Sequence, residues 1–375
     1  MLKLHIVQAS SGDCFILEYG TSAPRFILID GGLTGTYSGH LKPVLEDLRA
    51  NHRDLQALVL THVDADHVNG LLKLTDGVKR EKKGKKLLTV NLRGKTLWFN
   101  SFGAAINIGS RDLVKHTVSR ALREVSDAKP FEEMVAKGIE EGNQLRDDAW
   151  ILEMSLNPGF ASQLVTVDEA PRPLATLDNL SLTVVGPTQE NVDKLREEWV
   201  QWLEGAGKLA IATGRSIAAA ARELDDSVTN LSSIMLYAEA DGKTMLLTGD
   251  GRSDHLVAGL KQAGLLRDGK QLHVDLLKLP HHGSIRNITT PGFFHTVIAD
   301  TYVISANGLH GNPDKTTLEW LIQAVQEQHR QVEIVITSRP KQIDWMMDKF
   351  PPMESGYRLR GPIQNGQHEI VWPFS

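Results

Sequence analysis

The sequence predicts an α/β sandwich, two sheets with helices on their outer faces. Three observations predict it. Short apolar strands cluster at both ends of the chain, amphipathic helical stretches fall between them, and the alternation recurs in both halves. The 375 residues fit one large domain or two modest ones.

The strands are read in order. Leu2 to Val7, Cys14 to Tyr19 and Phe26 to Ile29 are short and apolar, separated by the turn residues Ser10-Ser11-Gly12-Asp13 and Ser22-Ala23-Pro24. Leu55 to Leu60 is a mostly apolar run, and Leu87 to Val90 and Thr96 to Phe99 are further strands. Leu180 to Val185 alternates and stops at Gly186-Pro187. Ser233 to Ala238 and Thr244 to Leu247 form a hairpin across Asp241-Gly242, a dipeptide that favours the tight turn. Val274 to Leu279, Tyr302 to Ser305 and Val332 to Ile336 complete the set.

Helices are expected at Leu41 to Ala50, Leu113 to Val125, Phe131 to Glu141, Asn191 to Leu203 and Thr317 to His329. In the fourth of these, Leu195, Trp199 and Trp202 recur at helical spacing. The middle of the chain, about 101–226, is mostly helical and reads as an insertion into a single domain spanning 1–375. There is no internal repeat at solenoid spacing.

Composition narrows the class. Hydrophobic residues at 41% and charged residues at 23% are ordinary for a soluble globular protein. A net charge of −5 does not mark the whole chain as a nucleic-acid binder, although a local basic groove is compatible with it. The basic run Lys79 to Lys86 reads as a solvated tip or as a phosphate-contacting loop. A single cysteine, Cys14, excludes an intrachain disulfide and a cysteine-rich zinc site. No signal peptide or membrane span is read, and a reducing cytoplasm is expected.

The chemistry is concentrated at strand ends. The apolar strand Leu58-Val59-Leu60 runs into Thr61-His62-Val63-Asp64-Ala65-Asp66-His67. Burying such polar groups without partners is costly, whereas imidazole and carboxylate together are metal ligands that can converge on an ion. The bland reading is a polar loop with an aspartate capping a helix over Val68 to Leu74. Three other strands end in the same way: Ile27-Leu28-Ile29 in Asp30-Gly31-Gly32, Leu246-Leu247-Thr248 in Gly249-Asp250, and Leu276 to Leu279 in Pro280-His281-His282-Gly283-Ser284. Each is weak alone, and together they are a joint signal for one site.

The order Asp-Gly-Gly, HxDxDH, Gly-Asp and a late histidine resembles the metallo-β-lactamase superfamily. The nearer resemblance is to the metallo-hydrolase domain of the DNA-uptake channel protein ComEC and its soluble relatives. It is carried by Gly12-Asp13, Ile29 to Gly32, Thr61 to His67, Asn230-Leu231-Ser232-Ser233, Leu247 to Asp250 and Pro280 to Ser284. The resemblance implies a four-layer αββα sandwich with two divalent metal ions, Mn²⁺ or Zn²⁺. His62 and Asp64 would hold the first and Asp66 and His67 the second, with His281 or His282 added and Asp250 bridging. Asp30 would orient the cluster. A water whose pKa the metals lower would be the nucleophile, and Asp66 would help take its proton, which makes Asp66 and Asp250 the expected catalytic pair.

This chain departs from the pattern in two ways. Position 64 is aspartate where the superfamily usually has histidine, a change shared with the ComEC-like group that favours Mn²⁺. No further histidine ligand is evident between the first motif and Asp250: His116 falls in an amphipathic helix, and Asn100 after a strand is at most a neutral lining group. The first metal is therefore expected to be weakly held. Asn230, Ser284 and His310 complete the expected surrounding or substrate-contacting residues, with asparagine at Asn312-Pro313 where relatives often carry a His-Pro pair. A metal pair about 3.5–4 Å apart suits in-line attack on a phosphodiester, so the expected substrate is DNA, RNA or a nucleotide. Hydrolysis of a small ester, lactone or amide is the alternative, and a non-catalytic binding or sensor protein is the rival.

Overall fold

In the computed structural model, the described residues are 1–50, 55–82, 90–101, 128–162, 164–171, 173–194, 197 and 232–374. Among them the strands are β1 (Leu2–Val7), β2 (Phe15–Tyr19), β3 (Arg25–Ile29), β4 (Leu55–Leu60), β5 (Thr96–Phe99), β6 (Ser155–Leu156), β7 (Ala175–Leu177) and β8 (Leu180–Gly186). The second half adds β9 (Met235–Ala240), β10 (Lys243–Leu247), β11 (Leu272–Lys278), β12 (Val297–Ile304), β13 (Val332–Ile336), β14 (Tyr357–Arg360) and β15 (Glu369–Trp372). The longer helices are α1 (Lys42–Ala50), α2 (Ala65–Lys82), α3 (Ala128–Ile151), α4 (Ser253–Gln262), α5 (Lys315–Glu327) and α6 (Lys341–Lys349).

The strands form a seven-stranded sheet in the order β15-β1-β2-β3-β4-β5-β6 and an eight-stranded sheet in the order β14-β13-β12-β11-β10-β9-β8-β7. Alternation along each strand explains the layering. On β3, Phe26 and Leu28 pack outward with Leu45, Leu71 and Leu145 of α1, α2 and α3. Ile27 and Ile29 point the other way, into a core shared with Leu247 and Leu276 of the second sheet. On β11, Leu277 packs with Leu256, Leu321 and Ile343 of α4, α5 and α6, while Leu276 faces the inter-sheet core. Helices, sheet, sheet and helices make the expected αββα sandwich. Strands covered on both faces read as continuous apolar runs, which is why β4 and β11 were conspicuous in the sequence.

Parallel pairing sets the strand ends level. Ile29 pairs with Val59 and Leu60 with Phe99, while Leu246 pairs with Leu277 and Lys278 with Val303. The carboxyl ends of β3, β4 and β5 therefore lie together in one sheet, and those of β10, β11 and β12 in the other. The sheets are stitched at this edge by Ile234 N–H donating to the Thr61 carbonyl at 2.9 Å. Gly31 and Gly70 allow the loop after β3 to lie against α2, because a Cβ on either would meet the backbone of the other.

Several expectations are corrected. The helix after the first motif spans Ala65–Lys82 rather than Val68 to Leu74, so Asp66 and His67 stand in its first turn and not on a loop. Within 101–226 the described residues include α3 and the expected β8, and also the unforeseen short strands β6 and β7, which belong to the two sheets. The strand set does not end at Ile336, since β14 and β15 follow and β15 closes the first sheet against β1. The helices α4 and α6 were also unforeseen, and β12 begins at Val297, five residues before the expected start. The expected helix Leu113 to Val125, most of the strand Leu87 to Val90 and the second half of the basic run lie outside the described residues, as does the latter part of the helix expected at Asn191 to Leu203.

Candidate metal centre

Each ligand candidate is placed by a strand end. β4 delivers Thr61 and His62, both buried. Asp30, at the end of β3, is buried in a left-handed conformation with φ 57°. Its carboxylate accepts Thr61 N–H and Thr61 Oγ–H, both at 2.8 Å, and lies 2.8 Å from His67 Nδ1. Thr61 Oγ1 is in turn 3.0 Å from His62 Nδ1. One carboxylate thus fixes both imidazoles, His67 directly and His62 through a hydroxyl, and their ring centroids are 4.1 Å apart.

The second sheet supplies the other half. β10 ends in Gly249-Asp250, and Ser233 Oγ accepts the Asp250 N–H at 3.1 Å. β11 leads into the Pro280–Gly283 turn, where His281 and His282 take left-handed conformations with φ 44° and 55°. Such backbone is unfavourable for a side chain with a Cβ and persists where its surroundings over-determine it. His282 Nδ1 lies 3.3 Å from Ser305 Oγ and 3.4 Å from Asp13 Oδ1.

The far nitrogens converge. Asp250 Oδ2 is 3.4 Å from His67 Nε2, 3.4 Å from His282 Nε2, 3.7 Å from His281 Nε2 and 3.9 Å from His62 Nε2. Asp64 Oδ2 is 3.4 Å from His62 Nε2, and Asp66 Oδ2 is 3.8 Å from His282 Nε2. The Nε2 atoms of His62, His67 and His282 are buried with no hydrogen-bond partner. Orphaned buried polar atoms are rare and need an explanation. Here they are aimed at a common space walled by carboxylates, which is the chemistry of a cation site. His62, His67 and Asp250 form one group, and Asp66, His67 and His282 another, with ligand atoms within 4.8 Å of one another. The residues fit a divalent metal ion. His282 belongs to two of the candidate ligand groups and is nearly closed from solvent, whereas His281 belongs to none and its side chain is 21% exposed.

The electrostatics agree. Burial alone would push the His67 imidazole down, but Asp250, Asp30 and Asp66 hold it well above its ordinary range. His282, equally buried, is pushed up to about 10 by Asp250 and Asp13. Burial would raise Asp250, yet His282, His281, His67 and Lys278 keep it well below the usual carboxylate range. His281 goes down, mainly through burial. The cluster is a carboxylate-rich cavity that demands positive charge.

Of the remaining expected residues, Asn100 is buried and its amide is engaged by backbone: it donates to the carbonyls of Val165 and Ser232 and accepts Val165 N–H at 2.7 Å. Ser284 closes the histidine turn, its N–H donating to the His281 carbonyl at 2.9 Å. His310 is exposed on the turn after β12 and belongs to neither ligand group. Asn230 and His116 lie outside the described residues. Asp13 and Ser233 stood in the quoted motifs without an assigned role, and Lys278 and Ser305 were missed as site residues. Lys278 carried a readable signal, a lysine inside the apolar run Leu276 to Leu279, since a buried charge requires partners.

Residues 9–80 match the family model described as the metallo-beta-lactamase superfamily. That stretch contains Asp30, His62, Asp64, Asp66 and His67. The match covers that stretch alone; with the two-sheet architecture it supports a metallo-β-lactamase fold, a superfamily made up mostly of metal-dependent hydrolases. Solved structures that resemble the chain include Zn²⁺-bound PqqB from Methylobacterium extorquens, at 13% identity and TM-score 0.34, covering 99% of this chain and 100% of that one. Another is Tm1679, described as a metal-dependent hydrolase of the beta-lactamase superfamily, at 12% identity and TM-score 0.36, with 100% of both chains covered. A third is a protein of unknown function from Enterococcus faecalis V583, at 9% identity and TM-score 0.29, covering 97% of this chain and 78% of that one. At these scores the likenesses carry no argument about activity. No curated protein matches the chain significantly. Among the described residues no helix is long and apolar enough to cross a membrane.

Proposed function

We propose that this protein is a two-metal phosphodiester hydrolase acting on a nucleic acid or a nucleotide-derived substrate. One observation carries the reading: three buried, unpartnered imidazole nitrogens face a single oxygen of Asp250 from two adjoining ligand groups. His62 and Asp64 with Asp250 would hold one ion, and Asp66, His67 and His282 with Asp250 the other. Such a pair, when bound, lowers the pKa of water and neutralises charge developing on attacking and leaving oxygens, which suits in-line displacement at phosphorus. Asp64 and Asp66, with side chains 28% and 26% exposed, form the solvent side of the site. In this reading Asp66 would take up a proton from water.

The substrate class is supported by the ComEC-like motif set around these residues. The balance of Asp64, Asp66 and Asp250 against His62, His67 and His282 is rich in oxygen and favours Mn²⁺ in turnover, although Zn²⁺ has the higher raw affinity. A single domain spanning 1–375 and a cytoplasmic setting complete the reading, the latter supported by one buried, unpaired cysteine.

The experiment is to strip the protein with chelator, restore Mn²⁺ or Zn²⁺ singly, and assay bis-p-nitrophenyl phosphate, single-stranded DNA, RNA and a lactone. Phosphodiester cleavage at least as fast with Mn²⁺ as with Zn²⁺ is expected. Turnover of the lactone alone would move the protein to the small-ester class. Activity confined to Zn²⁺ would mean that a nitrogen ligand completes the first site.

A further inference from the structure

One charged side chain in the centre is neither a ligand nor exposed to substrate. Lys278 ends β11 and is fully buried. Two residues beyond Leu276, it shares that residue's inter-sheet face. Its ammonium pairs with the Asp13 carboxylate, donates to the Gly249 carbonyl at 2.7 Å and lies 3.4 Å from Asp250 Oδ1. Asp13 also accepts the Ser305 hydroxyl and stands beside His282 Nδ1.

Two consequences follow. The oxygens of Asp250 are divided: Oδ1 faces the lysine, while Oδ2 faces all four imidazoles. Moreover, Asp13, Asp250 and His282 form a cation-competent group of their own, with ligand atoms within 4.8 Å. The lysine ammonium already contacts both carboxylates of that group.

We propose that Lys278 is the built-in cation of this centre: it fills the Asp13 side of Asp250 and would confine metal ions to the Oδ2 side. Lys278 is a positioning residue, acting through Asp250 and, by way of Asp13, on His282. Burying its charge is tolerated because the two carboxylates and a carbonyl replace water. The proposal rests on the reading of the site as a metal centre and is independent of the phosphodiester assignment.

The test uses metal binding rather than turnover. The double variant Asp13→Asn/Lys278→Met removes one charge of each sign, so the net charge of the site is unchanged and any loss reports geometry. Co²⁺ affinity is measured by chelator competition, coordination by the Co²⁺ absorption spectrum, and folding by circular dichroism. The folded double variant should bind Co²⁺ about 10–100-fold more weakly, the range for losing a partner that orients a ligand, with an altered spectrum. Lys278→Met alone, which bares Asp13, should take up one Co²⁺ equivalent more than the double variant. Wild-type affinity and spectrum in the folded double variant would overturn the proposal. A second measurement needs no variant: wild-type protein labelled with ¹⁵N-lysine should show an exchange-protected ammonium resonance that shifts when Co²⁺ is added, and its absence would also overturn it. Failure of the wild-type protein to bind metal at all would instead remove the metal-centre reading beneath it.

Discussion

Two histidine–carboxylate clusters in this molecule look alike in composition and differ in one respect. At the edge of the first sheet, His5 has both ring nitrogens engaged, Nε2 with Glu18 and Nδ1 with Glu369, each at 3.0 Å. In the metal centre, His67 and His282 have one nitrogen engaged through Asp30 or Ser305 and the other buried without a partner. A histidine satisfied on both sides is a structural clamp. A histidine held on one side and bare on the other is oriented for something that must arrive. Burial does not separate the two cases, since all three side chains are nearly closed from solvent. The unpaired atom does.

The largest effect is expected where the bare atoms converge. His67→Ala or Asp250→Ala should abolish metal-dependent hydrolysis, a fall of about 10³-fold or more, because a bound metal contributes several kcal/mol of charge stabilisation at about 1.4 kcal/mol per tenfold in rate. Circular dichroism should remain that of the wild type, because His67 stands in the first turn of α2, Asp250 follows the end of β10, and neither is an apolar core residue. Substantial activity in either variant would put the clamp and the metal centre in the same category. Asp30→Asn sharpens the contrast from the other side. It keeps every metal ligand but weakens the support of His62 and His67, and should reduce metal affinity about 10–100-fold. Unchanged affinity would mean that the ring orientations are set by packing alone.

The smallest functional effect is expected at His5. Its pKa is pushed up to about 9, the two glutamates outweighing a burial that would lower it. A pKa raised in the folded state contributes stability that is fully present below the unfolded value, near 6.5, and is lost as pH rises through about 9. The shift corresponds to a stabilisation on the order of 3 kcal/mol below pH 6.5. His5→Gln should therefore lower the denaturation midpoint at pH 6, with the difference from wild type shrinking between pH 7 and 10, while turnover at room temperature stays within about twofold of wild type. A His5→Gln loss that is constant with pH would show that the clamp acts by shape and not by charge.

Much of the metal centre was legible because its ligands follow uninterrupted apolar strands. A run such as Leu55 to Leu60 has to be buried, and polar groups of metal-ligating type at its end, repeated on β3, β10 and β11, can meet only where parallel strands finish together. The supporting half of the centre was less legible. Asp13 sits on a turn between antiparallel strands and acquires its role from Lys278, 265 positions away (278 − 13). Ser233 and Ser305 are small hydroxyls whose function exists only in their contacts. The strands β14 and β15 escaped notice for a different reason: each has four residues, and Gly361-Pro362 and Gly366 interrupt the segment between them. The β15 register, Leu4 to Trp372, is a long-range pairing that local periodicity does not report. The first turn of α2 was misread as loop because its ligand residues resemble a cap; Asp66 there is also favoured by the positive end of the helix.

The central claim is that the bare imidazole nitrogens are metal ligands. Equilibrium dialysis against Mn²⁺ or Zn²⁺ with elemental analysis tests it most directly, run in parallel on wild type, His5→Gln and the double variant His67→Ala/His282→Ala. The account predicts two ions per chain in the wild type and in His5→Gln, and at most one in the double variant. No bound metal in the wild type, or two ions retained when two of the three bare imidazoles are gone, would contradict it.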